Sequence, residues 1–274
     1  MRESLLHHCV EPLKALYADN IIQSVSDNEP VIALCCECMP FELLASAGIQ
    51  PRRLRSEEMF CCGCITENTS SSHEPHASAR ASLITVHGCP LHPQSAQQFS
   101  TIEIPAFHGW GEDASIELHQ SLEALFRKLA LPDINELDQH ALRNANTSYD
   151  QIRRLIRGIC SVRREKPFLL SNSDLFTLFD AAMCLPPGRI SSRLSSILEE
   201  MNAFQCEKRE DLPPVLVHSS FMFDPSILDE IEEAGCVVAE DDCCNGRRQF
   251  DLSHNPDSPY LYYEILHNFS FKPL

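Results

Sequence analysis

Residues 31–44 have the sequence VIALCCECMPFELL, and this stretch predicts the start of an α/β domain. Residues 31–35 form a short apolar run, which is typical of a buried strand. Pro40, in the first turn of the following segment, and Gly48, after its last turn, are usual start and stop signals of a helix. We therefore expect a strand that enters a cysteine-rich turn and is followed by a helix.

Further strand signals recur along the chain. Residues 83–86 and 101–104 are short segments with strand-forming composition. The order strand, helix, strand favours a parallel α/β layer. From residue 114 to about residue 204 the apolar residues instead recur at spacings of three and four, which predicts helices that bury their own apolar faces.

A second α/β unit is predicted after Pro213 and Pro214, with strands at 215–218 and 236–239 and a helix at 226–234 between them. The stretch DDCCNGRR, residues 241–248, follows at the carboxyl end of the last strand. Ligands bind at this end of the strands in open α/β sheets. Because one βαβ unit cannot bury both faces of a parallel sheet, this unit looks truncated.

These segments predict three parts. The first is an N-terminal, cysteine-rich α/β domain at 1–112, and the second is a helical connecting region at 113–212. The third is a partial second α/β domain at 213–274.

Charge and hydropathy exclude several classes of function. The 274 residues carry a formal net charge of -17, from 22 basic and 39 acidic side chains. Such a surface repels nucleic acid and disfavours anionic membranes. No apolar run approaches the ~20 residues that span a bilayer, and the first residues lack an apolar signal core. We therefore expect a cytoplasmic protein that binds neither nucleic acid nor membrane.

Cysteine is the most informative residue type in this chain. Of 14 cysteines, seven lie between positions 35 and 89, namely Cys35, Cys36, Cys38, Cys61, Cys62, Cys64 and Cys89. Cytosolic reductants keep thiols reduced, so disulfides are not expected. Thiolates at this density suit iron–sulfur clusters or zinc. The three cysteine-bearing turns lie at or close to predicted strand ends, so they could converge on one cleft.

Zinc is the competing metal. Cys35-x-x-Cys38 and Cys61-x-x-Cys64 form a four-thiolate pattern with plausible spacing for a closed zinc site. Zinc would leave the other three cysteines of the set unexplained, and the helix expected after Pro40 is unlike a zinc knuckle. Buried apolar thiols are a third interpretation. They fit the isolated cysteines of the helical region better than two triplets within thirty residues.

The motif Cys36-x-x-x-Pro40-x-Glu42-Leu43, followed by Ala-Gly and a basic segment, resembles the opening of the D-component family of 2-hydroxyacyl-CoA dehydratases. A later stretch resembles the second α/β domain of the same family. It consists of Leu228-x-x-Ile231-Glu232-Glu233-x-Gly235 and Asp241-Asp242-x-Cys244-x-Gly246-x-Arg248. The resemblance extends over nearly the whole chain.

The resemblance implies two Rossmann-like α/β domains joined by a helical region, with a [4Fe–4S] cluster held in the cleft. Members of this family, which includes benzoyl-CoA reductase-like proteins, dehydrate 2-hydroxyacyl-CoA or reduce aromatic acyl-CoA through ketyl radicals. An ATP-dependent activator supplies the electron. A related branch carries a double-cubane cluster. The chain is thus expected to be a lyase or oxidoreductase subunit of anaerobic metabolism, with an acyl-CoA substrate and a partner subunit.

The resemblance also implies the cluster ligands. The first falls within Cys61, Cys62 and Cys64, of which Cys62 and Cys64 are favoured. The second matches Cys89, although Pro90 stands where the family has aspartate. Cys36 and Cys244 match family motifs and complete the candidate set. A third family ligand near the C-terminus has no counterpart here.

Three further residues are candidates from their position in the sequence. Glu42, beside the first cysteine turn, could serve as a catalytic acid or base, although a solvated carboxylate at a helix start would look the same. Arg52 and Arg53 belong to the densest basic cluster outside the helical region and could bind an anionic substrate or cofactor. A solvated basic face is the alternative for this pair.

Two other functions remain open. The chain could be a non-catalytic, truncated paralogue that serves as a partner or assembly subunit. It could also be an interaction protein stabilised by zinc.

Overall fold

The computed structural model describes residues 5–26, 31–34, 40–53, 59–61, 82–86, 91–93, 100–104, 112–205, 212–219 and 221–270. These residues form a mixed, helix-rich α/β structure with small parallel sheets. The chain divides into two compact units. Unit 1 comprises Met1–Ile21 and Asp150–Ser253, and unit 2 comprises Ile22–Tyr149 and His254–Leu274. The predicted boundaries at 1–112, 113–212 and 213–274 stay predictions.

The strands of the described chain are β1 (Val31–Leu34), β2 (Gln50–Arg53), β3 (Met59–Cys61), β4 (Ser82–Val86), β5 (Leu91–Pro93), β6 (Ser100–Ile104), β7 (Pro214–Ser219) and β8 (Val237–Cys243). The α-helices are α1 (His7–Ser26), α2 (Phe41–Ser46), α3 (Glu112–Lys128), α4 (Gln139–Glu165), α5 (Asn172–Cys184), α6 (Pro187–Ala203), α7 (Ser226–Glu233) and α8 (Leu261–Ser270). This order confirms the strand–helix–strand start and the helical region after residue 112. No helix in the described ranges has both the length and the apolar character that a membrane crossing requires.

The main sheet of unit 2 has four strands in the order β2-β1-β4-β6. Every pairing in it is parallel, with Leu34 opposite both Arg53 and Ile84. The short strands β3 and β5 pair separately and antiparallel, with Cys61 opposite Leu91. Since the strands of the main sheet are parallel, their carboxyl ends lie at one edge.

Local signals fix α2 as the sequence predicts. Pro40 is its N-cap, and Gly48 after its end has a φ of +80°, a conformation that strains residues with a Cβ. The N–H of Ile49 donates to the carbonyl of Leu44 at 3.1 Å, which turns the chain back toward β2. The ring of Phe41 meets that of Tyr149 edge to face, with centroids 5.7 Å apart.

Unit 1 is built around a helical core. Apolar side chains of α1, α4, α5 and α6 are buried together with residues from α7 and β8. Phe179 lies at its centre, with ring centroids 5.3 Å from both Phe176 and Phe250. Helix α5 ends at Cys184 and α6 begins at Pro187, so the proline pair breaks the helical region where the sequence predicts.

Strands β7 and β8 form a two-stranded parallel sheet. The register shifts by one residue between Val215 and Leu216, and beyond this bulge β8 continues to Cys243. The prediction that this strand ends at residue 239 was therefore wrong, because pairing to β7 holds Asp241 and Asp242 in the strand despite their low strand propensity. Along β7, exposed side chains alternate with half-buried ones, and Leu216 is 67% exposed.

One buried ion pair joins three elements of unit 1. Arg163 on α4 donates from Nη2 to both carboxylate oxygens of Glu232 on α7, each at 2.9 Å. Its Nε and Nη1 donate to the carbonyls of Leu170 and Val238 at 2.9 and 3.2 Å. Glu232 also accepts the N–H of Val238 at 2.9 Å. Because the side chain of Arg163 is only 3% exposed, its positive charge has to be stabilised by the Glu232 carboxylate.

Replacing Glu232 by Ala should therefore lower the free energy of unfolding by roughly 3–5 kcal/mol, since it leaves a buried guanidinium without its counter-ion. Urea unfolding followed by circular dichroism measures the loss. Glu230→Ala, at an exposed position of the same helix, is the matched control and should change stability by less than about 0.5 kcal/mol. Equal effects of the two substitutions would contradict this role for the ion pair.

Candidate functional site

The carboxyl edge of the main sheet in unit 2 is the first candidate site. Strands β1 and β4 are neighbours in this sheet and run parallel. In the sequence, Cys36 follows the end of β1 by two residues, and Cys89 follows the end of β4 by three. Both cysteines lie outside the described residues, so their role as ligands stays a prediction.

The short strands β3 and β5 flank, in the sequence, the segments that contain the remaining predicted ligands of this unit. Cys62 directly follows β3, and Cys64 lies two residues beyond it. Cys89 precedes β5 by two residues. The antiparallel register pairs Cys61, the residue before Cys62, with Leu91, which follows Cys89 by two residues. Cys62 and Cys64 also lie outside the described residues.

Glu42 lies in the first turn of α2 and is completely buried, together with its apolar neighbours Phe41, Leu43 and Leu44. The structure therefore does not place it on a solvated surface. Partial positive charge at a helix N-terminus stabilises a carboxylate. A buried carboxylate near a reacting group can hold or transfer a proton, so Glu42 remains the predicted acid or base.

Arg52 and Arg53 lie on β2 and are 6% and 3% exposed. Consecutive residues of a strand face opposite sides of the sheet, so both faces of β2 are covered at this point. The solvated-face alternative does not describe this pair. Buried guanidinium groups require anionic or hydrogen-bonding partners, and binding of an anionic substrate by these two residues stays a prediction.

Asn146 on α4 is a buried polar residue that the sequence interpretation missed. It is 0% exposed, and neither its Oδ1 nor its Nδ2 has a hydrogen-bond partner among the described residues. It lies one turn before Tyr149, whose ring contacts Phe41, the neighbour of Glu42. The sequence could have indicated this residue, because Asn146 shares a helical stripe of buried residues with Leu142 and Tyr149, where an amide is unexpected.

The turn after β8 in unit 1 is the second candidate site, and its two adjacent cysteines differ in environment. Cys243 is fully buried, and burial together with the nearby Asp241 raises the pKa of its thiol to about 12. Cys244 is half-buried and is the predicted ligand of the pair. It belongs to unit 1, whereas the strands beside the other predicted ligands belong to unit 2.

Close packing inside this turn explains its glycine. A Cβ at position 246 would lie 1.8 Å from Oδ1 of Asp241, a distance that no side chain can occupy. The same Oδ1 accepts the N–H of Arg247 at 3.0 Å. Asn245 further fixes the turn, because its amide accepts from the N–H of Met222 at 2.8 Å and donates to the carbonyl of Met222 at 2.9 Å.

Two neighbouring aspartates in β8 have opposite electrostatic environments. Arg248 donates from Nε to Asp242 at 2.6 Å, and His218 contacts the other carboxylate oxygen at 2.8 Å. The hydrogen bond from Arg248 lowers the pKa of Asp242 below its ordinary value. Burial instead raises the pKa of Asp241 to about 6, against the opposing effect of its backbone hydrogen bonds.

Comparison with known proteins relates both candidate sites to one family. The sequence model of the family described as 2-hydroxyglutaryl-CoA dehydratase, D-component, matches residues 36–269 of the chain. The chain is also 26% identical over 128 residues to one of the subunits of benzoyl-CoA reductase from Thauera aromatica. This alignment covers 46% of the chain and 31% of the relative, so the chain matches about a third of that protein. Residues 36–269 include Glu42, Asn146 and the turn after β8.

Gly246→Ala should destabilise the protein by roughly 1–3 kcal/mol, because the new methyl group displaces the Asp241 carboxylate from its hydrogen bond. Gly188→Ala is the control. No atom lies within 4 Å of a Cβ at that exposed position in the first turn of α6, so this change should alter stability by less than about 0.5 kcal/mol. Urea unfolding of both variants measures the difference. A loss at Gly246 no larger than that at Gly188 would contradict the close approach at Gly246.

The substitution Asp241→Asn should remove one source of pH dependence from the free energy of unfolding. The pKa of Asp241 rises from 3.8 to about 6 on folding, so its contribution to stability is present below pH 3.8 and is lost as the pH rises through 6. We expect the variant to gain roughly 2 kcal/mol relative to wild type between pH 4 and pH 7.5, measured by urea unfolding at both values. A stability difference that stays constant with pH would contradict this assignment.

Proposed function

The chain belongs to the 2-hydroxyglutaryl-CoA dehydratase D-component family, and on this premise we propose that it is an iron–sulfur cluster-binding subunit of a 2-hydroxyacyl-CoA dehydratase or benzoyl-CoA reductase-like enzyme. The proposed reaction is the one-electron reductive dehydration or reduction of an acyl-CoA. The observation that carries the proposal is the strand pairing of unit 2, which brings together the backbone beside the cysteine-rich segments.

The pairing in the main sheet supports one part of the ligand set. Cys36 and Cys89 follow two adjacent parallel strands, which end at the same edge of the sheet. Segments that follow such strands supply the ligand-binding residues of open α/β sheets. A group bound at this edge would therefore lie within reach of both segments.

The pairing of β3 with β5 supports the other part. Cys61 lies opposite Leu91, and Cys62 and Cys89 are one and two residues away from this pair. The ends of the two cysteine-bearing segments are therefore paired through the strands that flank them.

The chemistry of the donor set also fits. Cysteine thiolates are the usual ligands of [4Fe–4S] clusters, and Cys36, Cys62, Cys64 and Cys89 offer four within one unit. Cys244 is retained as a candidate ligand on its family motif. A cluster held by three of these thiolates would supply single electrons and would leave one iron open. The surplus of cysteines keeps a double cubane as an alternative form.

The remaining assignments concern the protein's own groups. We assign to Glu42 the holding or transfer of a proton, because its carboxylate is buried in the first turn of α2. We assign to Arg52 and Arg53 the binding of an anionic part of the substrate. A partner subunit and an ATP-dependent activator complete the proposed enzyme.

Anaerobic reconstitution tests the proposal. The chain should bind about four iron and four acid-labile sulfide, or about twice that for a double cubane. Cys89→Ser and the double variant Cys62→Ser, Cys64→Ser should lose most of both. Cys236→Ser, a half-buried cysteine of unit 1, is the matched control and should retain the full content.

Other metal contents would contradict the proposal in distinct ways. Zinc without sulfide, lost in the variants Cys35→Ser and Cys38→Ser, would favour the zinc-stabilised interaction protein. Absence of both metals, together with association to a partner subunit that Cys89→Ala leaves unchanged, would favour a non-catalytic partner or assembly subunit.

A further inference from the structure

Three metal-binding side chains meet in unit 1, outside both candidate sites. His8 and Cys9 lie in the first turn of α1, and Glu200 lies near the end of α6. The Sγ of Cys9 is 3.2 Å from Nε2 of His8 and 3.2 Å from Oε2 of Glu200. The three donor atoms all lie within 4.8 Å of one another.

These distances suit a common metal ion. Zinc binds thiolate sulfur at about 2.3 Å and imidazole nitrogen or carboxylate oxygen at about 2.0–2.2 Å. In a tetrahedral arrangement two such ligand atoms are therefore about 3.3–3.7 Å apart. The two measured separations of 3.2 Å are close to this range. Small rotations of side chains that are exposed or half-buried would complete the geometry.

The charges at this position also favour a cation. The Sγ of Cys9 donates its proton to the Glu200 carboxylate. A divalent cation would replace the shared proton and neutralise both anionic groups.

We propose that His8, Cys9 and Glu200 form a zinc site that joins α1 to α6, with water as the fourth ligand. One sulfur, one imidazole nitrogen and one carboxylate oxygen suit zinc better than magnesium or calcium, which prefer oxygen ligands throughout. Three protein ligands with an open fourth position differ from the closed, four-ligand arrangement of structural zinc sites.

This inference is independent of the proposed function. His8 and Cys9 precede residue 36, where the match to the family begins. The site also shares no residue with the cysteine-rich segment between positions 35 and 89. A zinc ion here would stabilise the folded form of unit 1, because it would link two helices that contribute to one core.

Zinc protection of Cys9 tests the site without interference from the other thirteen cysteines. The full-length chain is alkylated with iodoacetamide under anaerobic conditions, with free zinc set by a chelator buffer, and the rate at Cys9 is followed by peptide mass spectrometry. At free zinc ten times the apparent dissociation constant, the rate should fall about tenfold.

Matched variants identify the ligands. Glu200→Gln and His8→Gln, both at exposed positions, should abolish the protection, measured as the ratio of rates without and with zinc in each variant. Glu199→Gln, the exposed neighbour on α6, should retain it. A wild-type rate that zinc does not change would overturn the proposal. Protection that persists in either ligand variant would overturn the three-ligand site.

Discussion

The parallel pairing of β1 with β2 on one side and β4 on the other is the constraint on which the proposed site of unit 2 depends. Side chains at the ends of parallel strands share one edge of the sheet, and residues far apart in the sequence thereby become neighbours. Here the two adjacent strands lead directly into segments that contain Cys36 and Cys89. The proposed cluster site depends on this pairing, because it places the ends of the two strands at the same edge.

The structure of unit 1 depends on polar side chains that are buried and held in place by packing. The pair formed by Arg163 and Glu232 ties two helices to β8, and the close approach of Asp241 to Gly246 shapes the turn that follows this strand. Such contacts cost desolvation free energy, and they are stable only when every buried donor and acceptor is satisfied. In the turn itself, the contact at Gly246 and the hydrogen bonds of Asn245 shape the backbone that directly follows Cys244.

Local features of the fold could be predicted from the sequence, whereas long-range ones could not. Pro40 and Gly48 limit α2 through their own backbone preferences, which act within a few residues. The extension of β8 through Asp242 escaped prediction, because pairing with β7 outweighs the low strand propensity of aspartate. The candidate cysteines follow from their density, but the contact between Cys9 and Glu200 joins residues 191 positions apart and leaves no periodic signal. Asn146 could have been found, since it interrupts an apolar stripe.

The central claim is that cysteine thiolates of this chain hold an iron–sulfur cluster. The iron K-edge X-ray absorption spectrum of the anaerobically reconstituted chain tests it most directly, because it reports the atoms around iron without relying on activity. We expect a first shell of sulfur and a second shell that contains iron, as in a cubane cluster. A first shell of oxygen and nitrogen with no neighbouring iron would show adventitious binding and would contradict the claim.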